Sequence, residues 1–554
     1  MASTRVPIIK GHTTDTDARP GAYRWYVLGL LTLTSAFSVA DRLVFGILVE
    51  DIKAEFALSD FELGLLGGAA FSLVYVLAGF PAARLADRST RKNIVASAIS
   101  FWSLMTAACG MATGFWTLFA ARTGVGVGEG CSGPSSQSLV ADFFARQELA
   151  KAMGYLTLGS TVGTAAGLVF GGQLAEIFNW RWAFILMGLP GLLLGLVIYL
   201  TVREPPRGRY APAGTDMAQL PLGRTIMSLI TNRVFMGLAL GWAVQIMIGY
   251  ALAFWMAAVM LRQFPISTGD VGLYLGLTFF LGGIPGPILG GYLTHWLTLR
   301  DERWRAWLPG LVSLGCVVPL ALSLSSDSFY VFLGWFGVAY GIYVASQAGI
   351  MSGIQAAVEP ASRGFAVAIA LFFNNLVGQA LGLAVIGAVS DALVPTQGDS
   401  SLAVAVFGVC LVSGLASLAI FVWTAAQMGP TGYLEKMRGG GSAVRVSEPQ
   451  AQNPGWIDSA PPSTSISAPV MNGHSSLARK AMAAAVSEGS ARRFSGEVAA
   501  TAAIRPGMRR SASAIMPVWV APGMTVLQRI ASPALAHHVA TDLDSTLTAP
   551  LLAE

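Results

Sequence analysis

A chain of 554 residues that is 54% hydrophobic and only 12% charged is not an ordinary soluble domain, since such domains carry charge on about a quarter of their residues. The formal net charge of +5 comes from basic residues scattered over short polar stretches, so a polytopic membrane protein is expected and a nucleic-acid partner is not. Cys109, Cys131, Cys316 and Cys410 all fall inside apolar runs and read as packing residues without disulfides.

The N-terminal stretch MASTRVPIIKGHTTDTDARP is polar and lacks an apolar core before a small-residue cleavage site. The first span, rather than a cleaved leader, is therefore expected to direct the chain to the membrane. Runs of roughly 20 apolar residues mark spanning helices. They predict twelve, over 23–50, 61–83, 93–113, 115–141, 151–176, 180–202, 233–261, 269–297, 305–325, 328–357, 364–391 and 401–427. Basic residues gather at alternate connections, among them Arg88, Arg91 and Lys92, Arg146 and Lys151, Arg203 and Arg207, and Arg300 and Arg303. The opposite connections hold Asp51, Glu55, Asp60, Glu62, Asp270, Asp327, Asp391 and Asp399. The positive-inside rule then puts both termini in the cytoplasm.

The layout that follows is a cytoplasmic segment 1–22, a six-helix bundle 23–202, a cytoplasmic central loop 203–232, a second bundle 233–428 and a tail 429–554. A weak repeat supports the division, because the second span leaves as Ala83–Asp87 and the eighth as Gly291–His295, each small-x-Leu-x-polar before basic residues. Paired halves with a site between them at mid-membrane are a known transporter architecture. From about residue 439 the tail is rich in Ala, Ser, Pro, Gly and Arg without periodicity, and is expected to be mostly disordered. RRFS and RRSAS within it resemble sites for basophilic kinases.

Asp41 and Arg42 in the first span, and Arg122 and Glu129 in the fourth, are charges placed in hydrocarbon. Such charges are costly, face the protein interior and usually pair. Counting 1.5 Å per residue, Asp41 lies roughly 12 Å below the outer end of its helix and Arg122 about 10 Å below the start of the antiparallel fourth span. Glu129 follows Arg122 by seven residues, on the same face and about 10 Å deeper. Gly124, Gly126, Gly128 and Gly130 clear side chains around it. The quartet is either a neutral structural cluster or a working site. In the second case Arg42 or Arg122 receives an anionic substrate group such as a phosphate, and Asp41 or Glu129, losing its countercharge, accepts a proton.

The second span ends in AARLADRSTRKN (82–93). It resembles the cytoplasmic loop signature of the major facilitator superfamily, with Asp87, Arg88, Arg91 and Lys92 at the charged positions and Ala83 and Thr90 in place of two glycines. The resemblance implies an all-α fold of two six-helix halves and a cytoplasmic gate, formed here by Asp87, Arg88, Arg91, Asp142 and Arg146. Through SVADRLVF and RTGVGVGEGCSG, roughly residues 35–205 resemble the spinster-type branch. Asp41, Arg42, Arg122, Gly126, Gly128, Glu129 and Asp142 match, while Gly130 and Ser38 depart from that branch. The resemblance implies a multi-pass transporter, in the inner membrane if the chain is bacterial. Its expected cargo is an amphipathic lipid of lysophospholipid or sphingoid-phosphate type, with protons as the coupling ion and a monomer as the working unit. Efflux of drugs or small organic anions is the alternative within transport, and a membrane receptor signalling through the tail is the alternative outside it.

Weaker signals complete the reading. Gly154, Gly159, Gly163, Gly167, Gly171 and Gly172 suggest tight packing of the fifth span, and Pro285 and Pro287 a kink in the eighth. Asn374, Asn375 and Gln379 are expected to face the interior, and Tyr250 and Trp255 either line a lipid path or pack in the core. The chain carries no Walker-type lysine loop, zinc spacing or dinucleotide fingerprint, so no enzyme activity, cofactor or metal is expected.

Overall fold

The computed structural model describes residues 20–207, 209–210, 222–359 and 362–428. The tail, with its expected disorder and kinase-like sequences, lies outside the described residues, as do 1–19 and most of the central loop. No strand occurs among the described residues. Among the described residues nine stretches are long and apolar enough to cross a membrane; the longest, Arg363–Gln427, contains two helices, and counting Arg91–Cys109 and Phe115–Phe143 as well gives twelve spanning helices there. The first half consists of α1 (Pro20–Ile47, continued by Val49–Phe56), α2 (Asp60–Gly67 and Ala69–Arg88), α3 (Arg91–Cys109), α4 (Phe115–Phe143), α5 (Arg146–Ile177) and α6 (Trp180–Thr201). The second consists of α7 (Arg233–Gln263), α8 (Thr268–Thr298), α9 (Trp304–Leu324), α10 (Phe329–Ala356), α11 (Arg363–Gln397) and α12 (Ser401–Gln427). A short helix, Leu222–Thr231, precedes α7.

Glycines set the closest helix approaches. A Cβ at Gly163 of α5 would strike the carbonyl of Ala36, and one at Gly167 the Ala40 backbone, so the fifth-span glycines let α1 lie against α5. In α4, a Cβ at Gly126 would fall 2.5 Å from the Phe71 carbonyl oxygen and one at Gly128 2.7 Å from Trp102 Cβ. The alternating glycines thus press α4 onto α2 and α3, and turn Glu129 away from them toward α1.

Helix irregularities sit where the halves face each other. Five residues of α7, Ala251–Trp255, and eight of α11, Asn374–Leu381, wind as π-helix, a form frequent at functional sites. The α8 helix is interrupted at Ile284 with Pro285 opening its second part, as its prolines predict. Asn374, Asn375 and Gln379 are buried as expected, and Gln379 donates to the Gly67 carbonyl of α2 at 3.3 Å. Three of the four cysteines are buried and all four are free thiols.

The apolar cores are unequal. One large core joins both halves toward the outer side, from Phe45 and Leu63 through Phe254 and Trp255 to Phe336 and Ile386. Phe45 stacks on Phe254 with ring centres 5.8 Å apart. Toward the cytoplasm each half has its own core, built around Trp102 and Phe144 in the first half and around Phe235 and Phe421 in the second.

Candidate substrate and coupling site

Adjacent residues on a helix point about 100° apart, and this divides Asp41 from Arg42. Asp41 turns to α3, where Thr106 Oγ1 donates to its Oδ2 at 3.2 Å; its Oδ1 is buried without a partner. Arg42 turns to α4. Its Nη2 and Nε lie 2.6 and 2.8 Å from Glu129 Oε2, and Ser38 one turn earlier donates to the same oxygen at 2.6 Å. Glu129 is 1% exposed, and its second oxygen, Oε1, has no partner. The arginine also rests on aromatic faces, with its guanidinium carbon 4.5 Å from the Phe71 ring centre and 4.8 Å from that of Tyr75.

Arg122 departs from the expected pairing. It is 1% exposed, its Nε is unpartnered, and no carboxylate lies within ion-pair distance of it among the described residues. Its guanidinium carbon instead lies 4.8 Å from the Phe45 ring centre and 5.6 Å from that of Phe71. Desolvated cation–π contacts of this kind contribute about 2 kcal/mol, which offsets part of the cost of burying the charge. Phe71 therefore touches both arginines, and Glu129 pairs with Arg42 rather than with the arginine on its own helix.

A cavity of about 240 Å³ opens beside the pair, lined by Arg42, Glu129, Tyr75 and a series of hydroxyl residues that includes Ser38, Ser132 and Ser136. On α1 its lining runs from Arg42 back to Leu31 and on α4 from Glu129 forward to Gln137; both directions lead toward the cytoplasm. In the sequence these hydroxyls show as polar residues three and four apart on one helix face, a weaker signal than the intramembrane charges beside them. Arg122 and Asp41 do not line this cavity. Trp255 is fully buried core, whereas Tyr250 comes within electrostatic range of Arg42 and Glu129 from the opposite half.

At the cytoplasmic rim Arg91 Nη1 lies 2.5 Å from Asp142 Oδ2 and its Nε 2.7 Å from Glu204 Oε1. Glu204 also accepts from the backbone N–H of Lys92 at 3.0 Å, so the start of the central loop is strapped over the α2–α3 turn. All these partners belong to the first half or to the start of the central loop. Arg88 is exposed, and the side chains of Asp87 and Arg146 lie outside the described residues.

The outer rim supplies a network that loop charges alone did not reveal. Arg262 of α7 binds Glu50 and Asp60 of the first half, each at 2.7 Å, and Lys53 adds a contact to Asp60 at 2.5 Å. Ser390 of α11 donates to Asp60 at 2.6 Å, and the Asp391 carboxylate accepts from the backbone N–H groups of Asp60 and Phe61, both at 2.9 Å. Glu176 of α5 similarly accepts from Ser267 and from the Gly269 N–H at the start of α8. Just outside the spans, hydrogen bonding from Arg181, with help from Trp180, holds the Glu55 carboxyl below its ordinary range, while burial and the neighbouring Glu50 push Asp51 up.

Twelve helices in two halves, an outer seam bridged by Arg262 and Asp60, and a charged wall on a cytoplasm-directed cavity define a polytopic membrane transporter. Residues 30–383 match the Major Facilitator Superfamily, and the chain belongs to that superfamily. It is 30% identical over 390 residues to an MFS-type efflux pump of Mycolicibacterium smegmatis, covering 70% of this chain and 90% of the relative. It is 27% identical over 413 residues to human protein spinster homolog 1, covering 70% of this chain and 77% of that one. A bacterial homolog of the human lysosomal transporter Spinster, solved in an inward-facing and unoccupied conformation, superposes with a TM-score of 0.65 at 28% identity, covering 73% of this chain and 96% of that one. Within the superfamily the chain is spinster-like.

Proposed function

We propose that the protein is a secondary active transporter that moves amphipathic lipids of lysophospholipid or sphingoid-phosphate type by alternating access, coupled to protons. The observation that carries this reading is the Arg42–Glu129 pair on the cavity wall: Glu129 is buried with one oxygen unpartnered, while the Arg42 side chain is 21% exposed. An anionic headgroup entering the cavity meets Arg42 and draws it from Glu129. The carboxylate, left in a desolvated layer without its countercharge, then takes up a proton. Arg122, buried behind Phe71, is the second anion position in this cycle, and Asp41 a second proton position. The Arg91–Asp142 pair, with Asp87, Arg88 and Arg146, belongs to the cytoplasmic gate. The spinster-type motifs around Asp41–Arg42 and Glu129 support the lipid reading, and likeness to the inward-facing Spinster homolog supports a cavity open to the cytoplasm. Likeness to the mycobacterial efflux pump supports a second reading, efflux of drugs or small organic anions through the same site.

Proteoliposomes loaded with labelled lysolipid and subjected to a pH gradient test the proposal. Wild type is expected to move lysolipid faster with the gradient than without it, and Glu129→Gln to lose that gradient response. Equal transport with and without the gradient in wild type would overturn the coupling. Transport of organic anions with no lysolipid flux would favour efflux.

A further inference from the structure

The cavity wall is a stripe of hydroxyls around a single guanidinium. Thr34, Ser35 and Ser38 face it from α1 below Arg42, and Ser132 and Ser136 from α4 below Glu129. Spacings of three and four residues put each set on one helix face. Three of these hydroxyl protons are already committed: Thr34 donates to the Leu30 carbonyl, Ser132 to the Glu129 carbonyl and Ser38 to the Glu129 carboxylate. A hydroxyl that donates inward keeps lone pairs for an incoming donor. Glu129 Oε1 is a further buried acceptor without a partner. Arg42 holds Glu129 through Nε and Nη2, so Nη1 is where an incoming anion first meets it before drawing it from the carboxylate.

We propose that this cavity binds an anion flanked by several hydroxyls, with its carboxylate or phosphate on Arg42 and its hydroxyls donating to Thr34 and Ser132. Glycerol- or inositol-phosphate headgroups of lysolipids share this chemistry with free sugar acids; the lipid case rests on the function proposed above. The volume agrees. About 240 Å³ lies below the roughly 300–1,000 Å³ that encloses a drug-sized ligand and equals roughly eight water volumes at about 30 Å³ each. A headgroup or hexose-sized acid fits, and an acyl chain must lie elsewhere. A quaternary ammonium headgroup donates no hydrogen bond and leaves the lone pairs of the wall unpaired.

Competition binding to the purified full chain tests this with lysophosphatidylinositol, lysophosphatidylglycerol, lysophosphatidylcholine and acyl-free gluconate. Wild type is expected to favour the inositol and glycerol headgroups over choline by on the order of tenfold, and the double variant Thr34→Val, Ser132→Ala to lose most of that preference, about threefold for each hydrogen bond. Choline bound as tightly as inositol by wild type would overturn the inference while leaving lipid transport standing, and needs no variant. Gluconate bound without any lysolipid would support the polyol-anion site and overturn its lipid setting. A folded double variant with the wild-type ratio would also overturn the assignment of the wall.

Discussion

At the outer end the two halves share one apolar core and a polar seam; at the cytoplasmic end each half keeps its own core. The same chemistry serves both rims. Arg262 binds two carboxylates across the seam, and Arg91 binds one of the first half and one at the start of the central loop. What differs is which helices the arginine bridges. In the alternating-access cycle proposed above the halves part on one side at a time, so the Arg262–Asp60 contacts have to break, whereas the Arg91 contacts to Asp142 and Glu204 join no helix of the second half and need not. Buried carboxylates such as Asp60 suit a seam of this kind. They hold firmly while complete and are costly once a partner leaves, because the remaining charge is stranded in a low-dielectric layer.

The difference between the rims can be broken by mutation. Asp60→Ala removes a fully buried carboxylate that Arg262, Lys53 and Ser390 all contact. It is expected to cost about 3–5 kcal/mol, lowering the thermal midpoint in detergent and lengthening the distance between spin labels on the outer ends of α2 and α11. Arg91→Ala is expected to cost about 1.5–3 kcal/mol, the scale of hydrogen bonds to charged groups, with the outer label distance unchanged. A change in that distance would mean the two rims are not independent. The smallest effect concerns Glu55, whose carboxylate is bound by Arg181 at 2.5 Å in an exposed setting. Its folded pKa is lowered, so the stabilisation is complete above about pH 4 and is lost as pH falls through the lowered value. Solvent screening limits it to about 0.2–1 kcal/mol. Glu55→Gln should lower neutral stability by that same small amount and flatten the corresponding part of the acid stability curve.

Much of the fold was legible because hydrocarbon imposes a length and an apolar composition on each span. The run 305–325 forms α9, and the fifth span begins at Arg146, a little before the 151 expected. The four intramembrane charges were equally visible. Their partners were not, because sequence gives depth along a helix but not how far each helix is rotated toward its neighbours. Asp41 and Arg42, one residue apart, consequently serve different interfaces, and Arg122 lies among aromatic rings instead of beside a carboxylate. The hydroxyl stripe followed a readable three-and-four spacing. Asp60, Arg262 and Asp391 showed only their side of the membrane, since nothing local indicates that residues some 200 to 330 positions apart meet. The π-helical segments of α7 and α11 carry no proline or charge that marks them.

Proton uptake on ligand binding is the most direct test of the role given to Arg42 and Glu129. Lysolipid is added to purified protein in weakly buffered detergent solution and the pH followed with an indicator dye. About one proton should be taken up per ligand bound in wild type, and none in Glu129→Gln at matched occupancy. The same proton uptake in both proteins would contradict the account.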